Sequence, residues 1–238
     1  MCGRFTLTLP DFEALAELVG ATASPRLAAR YRRRWNIAPS DAHWIVVPSG
    51  DVSASAGTAS VEQASQGTAS SGPTRSLVPA SWGFTDRKLP LLRAEAAGKQ
   101  AMSRAAFGGQ RCLVPADGFY EWTGEKGERV PYWFRSAHGT PLLFGALYED
   151  TADGARFAIL TTSANATVAK VHDRMPLIIS RDDIDTWLRG NPASLIHPAP
   201  DDLLLTSEVG TRVNAVRNDD PACIEPPSPH EPKQGKLF

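Results

Sequence analysis

The sequence predicts an α+β domain, and three observations lead there. Short β-rich apolar runs recur along the chain: RCLVP (111–115), YWF (132–134), LLFGALYE (142–149) and RFAILTT (156–162). Helical patterns are few and short, and no internal repeat is present. The length, 238 residues with 42% hydrophobic side chains and six tryptophans, fills the core of one domain.

Taken in order, residues 3–9 alternate, with Phe5, Leu7 and Leu9 on one side, which predicts a strand close to the first residue. A strand there would pin Cys2 in place. Residues 10–19 read as a helix: Pro10 lies near the first turn, Phe12, Leu15 and Val19 share a face, and Gly20 stops it. Residues 26–34 (RLAARYRRR) carry five arginines. Such a run is either a solvated charged face or a phosphate-contacting patch, and the sequence leaves both open. Residues 49–76 are rich in Ser, Ala, Gly and Thr and poor in apolar bulk, so they read as a flexible insertion within the domain. RCLVP is followed by a PADG turn and FYEW. A helix over 163–171 is expected to lead into HDRMP (172–176). LIIS (177–180) reads as a strand whose Ser180 caps a helix at 181–188. A disordered tail is expected over 227–238, leaving one domain over 2–226.

Charge and cysteines narrow the function classes. A formal net charge of −1 gives no global reason to bind a polyanion. Three cysteines, Cys2, Cys112 and Cys223, show neither CxxC nor zinc spacing, which predicts a reduced, cytoplasmic protein. No secretory signal and no membrane-spanning run is read.

The cysteine at position 2 carries the chemistry. Removal of Met1 would leave an α-amine, with a pKa of about 7.7–8.0, next to a thiol near 8.5. The amine attacks an aldehyde to give an imine, and the thiol closes on the imine carbon as a thiazolidine. The same residue could instead be a nucleophile with its own amine as base, or have no special role. Proton carriers are needed for either use. Of five histidines (43, 138, 172, 197 and 230), His172 stands at a junction beside Asp173 and Arg174. Glu121 falls among Phe119, Tyr120 and Trp122, a setting that raises a carboxyl pKa toward neutrality. A capping His and an Arg-paired Glu are the bland alternatives.

Several stretches together resemble one family. MCGRF, WNIAPS (35–40), SWGF (81–84), RAE (93–95), RCLVPADGFYEW (111–122), TTSANATVAKVHDRMPLII (161–179) and VNAVRNDDPACIEP (213–226) are similar to the SRAP family (SOS response-associated peptidase, or abasic-site processing protein). The resemblance implies a mostly antiparallel sheet or barrel core with flanking helices. It also implies that Cys2, after loss of Met1, crosslinks to abasic sites in single-stranded DNA through a thiazolidine. Glu121 would assist imine formation, and His172 ring closure and reversal. Asn36 would line the DNA site, and Arg4, Arg93 and Arg104 (in MSRAAF) would hold phosphates. No cofactor, metal or membrane is implied, and a monomer is expected.

Two departures stand out. The family's N-A-R-A-E-T reads L-L-R-A-E-A here, so Leu91 occupies the asparagine's place. The segment before it, GFTDRKLP, lacks the aromatic that usually wedges against nucleic acid, which would weaken stacking. A glutamine amidotransferase also begins Met-Cys-Gly, but MCGRF, WNIAP and HDRMP do not resemble one. A non-covalent single-stranded DNA-binding module is the remaining alternative.

Overall fold

Two sheets organise the chain in the computed structural model, which describes residues 3–21, 24–49, 75–84, 90–97, 109–125 and 128–228. The first sheet holds β1 (Arg4–Leu7), β2 (Arg34–Ile37), β7 (Gly118–Thr123), β8 (Val130–Ser136) and β12 (Leu204–Glu208). Its order is β12-β8-β7-β1-β2, and every pairing is antiparallel. The second holds β3 (Ala42–Pro48), β4 (Arg75–Trp82), β5 (Leu91–Arg93), β6 (Arg111–Ala116), β9 (Leu142–Thr151), β10 (Gly154–Ser163) and β11 (Arg174–Pro176). β10 pairs with β9 on one edge and with β4 on the other, so β4, β3, β6, β9 and β10 close into a barrel. Only β4 and β5 run parallel to β10. The expected α+β class with a mostly antiparallel barrel core is what the structure has.

Local chemistry explains the elements. Helix α1 (Phe12–Val19) starts at Asp11, whose carboxylate accepts the Ala14 N–H at 2.8 Å. It ends at Gly20, whose φ of 64° suits a residue without Cβ. Its apolar face, Phe12, Leu15, Ala16 and Val19, is buried. α2 (Pro25–Ala28) and α3 (Ala94–Ala97) are single turns.

Strand alternation fixes the two faces of the first sheet. Phe5 on β1 pairs with Phe119 on β7. Both join the main core, where Phe5 meets Trp82 and Phe144 edge-on. Tyr120, the next residue, points the other way. It packs with Val209, Val213 and Cys223, and this second cluster seats the 3-10 turns Thr211–Asn214 and Pro221–Ile224 on the sheet's outer face.

Several sequence expectations are corrected. The PADG turn shrinks to one residue, Asp117, because Pro115 and Ala116 belong to β6 and Gly118 opens β7. The Asp117 carboxylate accepts from the Thr6 hydroxyl and from the N–H and hydroxyl of Thr8, tying the β6–β7 corner to β1. The helix expected over 163–171 is only a 3-10 turn, Val168–Lys170. β10 holds Ser163 opposite Arg174, and the Asn165 side chain accepts the Val168 N–H while donating to the Ala199 and Pro200 carbonyls. The expected strand 177–180 is displaced to Arg174–Pro176. Leu177 and Ile179 instead donate singly to the carbonyls of Leu160 and Leu143. Ser180 caps a turn through the Asp183 N–H at 3.2 Å, so helix α4 begins at Ile184 and runs to Arg189. Within 49–76, Arg75 and Ser76 already form β4, and residues 50–74 lie outside the described residues. Of the expected tail, 229–238 also lie outside them.

Candidate active site

Glu121 sits on β7, two residues from Phe119, and so shares its inward face. It is 1% exposed. Burial, reinforced by the negative charge of Asp173, lifts its carboxyl from the ordinary 4.5 to about 7. The sequence expectation of a raised pKa agrees with this. Asp173 brings His172 into the same neighbourhood. The Nδ1 of His172 accepts the Arg174 N–H at 2.9 Å and lies 3.0 Å from an Asp173 carboxylate oxygen. In the neutral ring that arrangement leaves the proton on Nε2. Partial burial lowers the His172 pKa, and Asp173 opposes the shift.

Cys2 lies outside the described residues. Arg4, two residues on in sequence, is the first residue of β1 and pairs with Tyr120, the neighbour of Glu121.

β5 and α3 bring a further part that sequence reasoning did not assign. Arg174 donates to both Glu95 oxygens at 2.9 Å, a two-pronged pair, and to the Thr161 hydroxyl at 3.2 Å. Arg174 holds the Glu95 carboxyl below its usual range. Thr161 in turn donates to the Leu92 carbonyl at 3.1 Å. The pair locks the segment carrying Arg93 to the strand that follows His172. Its signal was present as RAE and HDRMP, but nothing in either motif says that they meet. Arg93 itself is exposed at the end of β5. Leu91, the family asparagine's replacement, packs against the main core.

The first sheet divides the remaining residues from these. Arg4 and Asn36 belong to the outer face, with Tyr120 and Val213. Arg4 donates to the Asn36 side-chain oxygen and to the Val213 carbonyl, each at 2.9 Å, and its guanidinium lies 5.9 Å from the Trp122 ring centre. Desolvation lowers its pKa. Asn36 is fully buried, and its amide donates to the carbonyls of Val213, Ala215 and Asn218. Asn36, expected to line the DNA site, exposes no surface of its own here. It positions Arg4. Arg104 lies outside the described residues.

Among the described residues, no cluster of three His, Cys, Asp or Glu side chains is arranged to hold a metal ion. Among the same residues no helix is long and apolar enough to cross a membrane. The inner arrangement, a carboxyl that titrates near neutrality beside a partly buried imidazole, is suited to moving protons.

The family model described as SOS response associated peptidase (SRAP) matches residues 1–216. The abasic site processing protein YoqW of Bacillus subtilis (strain 168) is 28% identical over 244 residues, covering 94% of this chain and 99% of that protein. The abasic site processing protein HMCES of Gallus gallus is 31% identical over 159 residues, covering 54% of this chain and 47% of its own length. A crystal structure of a protein from Bacteroides thetaiotaomicron superposes with a TM-score of 0.72 at 15% identity, covering 94% of this chain and 99% of that one.

Proposed function

Because the chain belongs to the SOS response associated peptidase (SRAP) family, we propose that it processes abasic sites in DNA by covalent capture through Cys2. Relatives named as abasic site processing proteins support the lesion as target. The observation that carries the reading is Glu121: a buried carboxyl with a pKa of about 7, on the strand paired with the chain's first residues.

Hydrolysis releases Met1 and exposes the Cys2 amine. That amine adds to the aldehyde carbon of the ring-opened abasic sugar. Protonated Glu121 gives its proton to the departing hydroxyl, water leaves, and the nitrogen proton returns to the Glu121 carboxylate as the imine forms. The Cys2 sulfur then bonds to the imine carbon, the thiol proton passes to nitrogen, and a thiazolidine closes. His172 moves that proton in ring closure and in reversal. Arg93 and Arg104 hold flanking phosphates, and Arg4 holds another from its brace on Asn36. The DNA is single-stranded, and phosphate contacts by arginine position it without reading bases. The domain spans 2–226 and acts as a monomer.

A second reading is a non-covalent DNA-binding module, favoured by Leu91, whose side chain packs against the core and supplies no amide. One experiment separates the two. Mixed with a single-stranded abasic oligonucleotide, wild-type protein forms a denaturation-resistant adduct, and Cys2→Ala forms none while still binding the strand. An adduct that persists in Cys2→Ala removes Cys2 from the mechanism.

A further inference from the structure

The arginine run 26–34 is not absorbed by the site just described. Arg34 is its structural member: it pairs with Asp41 at 2.6 Å and with Asp219. Arg26, Arg30, Arg32 and Arg33 are exposed and make no ion pair with a described residue. Asp41 does not neutralise them, because Arg34 and the Ala38 N–H hold its carboxylate. His43, which faces the same cleft, stays neutral: burial lowers its pKa to about 3.

The stretch that presents Arg32 and Arg33 is fixed at both ends. The Tyr31 hydroxyl donates to the Leu9 carbonyl at 2.9 Å, and its ring packs against Phe12. Arg34 is anchored by its two carboxylates. Arg32 and Arg33 therefore project from a short stretch held between two anchors. Arg30, Arg32 and Arg34 line a cleft of about 220 Å³ with Asp41, His43 and Trp44. The whole chain carries a formal charge of −1, so this excess is local. Four like charges within eight residues, two of them on the pinned stretch, repel one another and are relieved by an anion with repeated charges.

Its place in the fold suggests which anion. Leu7 pairs with Arg34, and Arg4 lies three residues away along β1, roughly 10 Å at about 3.3 Å per residue. We propose that Arg26, Arg30, Arg32 and Arg33 bind the phosphate backbone of the strand flanking the lesion, a second contact area beyond the capture site. The proposal rests on the reading of this protein as one that captures DNA.

The test is equilibrium binding to an undamaged, labelled oligothymidylate of about 20 nucleotides, followed by anisotropy across a salt series. The combined variant R26Q/R30Q/R32Q/R33Q should bind about tenfold or more weakly, and its slope of log affinity against log salt should be shallower by about 2–3, near 0.7 per phosphate lost. The matching lysine variant keeps the charges and should retain most of the slope. R32Q and R33Q alone should each flatten it by about 0.7. Wild-type affinity and slope in the glutamine variants would overturn the proposal and leave the patch to an acidic protein partner. Undamaged DNA forms no adduct, so this readout stands even if covalent capture fails, and a failed patch leaves capture untouched.

Discussion

Glu121 is where the mechanism is most exposed to test. Its folded pKa of about 7 lies above the 4.5 of an exposed glutamate. The folded state therefore binds more protons than the unfolded state between those values. Its contribution to stability is present below about 4.5 and is lost as pH rises through about 7. The same titration governs proton donation, which fades above pH 7. Glu121→Gln should slow imine formation by about 100-fold at pH 6 and should flatten the decline in rate through pH 7. An unchanged rate and pH profile in single-turnover measurements would make Glu121 a structural residue. The raised pKa was one of two readings legible in FYEW, the other being an Arg-paired glutamate, and burial on the inner face decides between them. The role of Asn36 was not legible. Its backbone N–H is accepted by Asp219, 183 residues away in sequence, and no local pattern announces such a partner.

At the scale of elements, the β6–β7 corner sets where Glu121 stands. Asp117 clamps β1, and Gly118 passes so close to β8 that a Cβ there would sit 2.2 Å from the Trp133 ring nitrogen and 2.7 Å from the Phe134 carbonyl oxygen. Gly118→Ala should cost about 1–3 kcal/mol, lowering the melting temperature by roughly 2–12 °C. A melting curve unchanged from wild type would refute the close approach. Short apolar strands and the capped helix α1 were readable because period and capping are local signals. The stretch 163–171 was misread because its composition favours helix, whereas β11 pairing and the Asn165 side chain hold it in another shape. LIIS was misread for a related reason. Its apolar run is buried by single bridges to Leu160 and Leu143 and joins no ladder.

For the whole molecule, barrel closure depends on β10 meeting β9 and β4 at once, with β5 added on the same strand. These are long-range pairings that no segment encodes by itself, so only the class and the resemblance foretold them. The result is a first sheet with two distinct faces. The inner one carries Glu121 and, near it, His172. The outer one carries Arg4 braced by Asn36. The central claim is that Cys2, once Met1 is gone, traps the aldehyde of an abasic site. The most direct test is the intact mass of purified protein before and after mixing with a single-stranded oligonucleotide containing one abasic site. The account predicts a protein lacking Met1 and an adduct equal to protein plus DNA minus one water. Retained Met1, or a processed protein with no adduct, would contradict it.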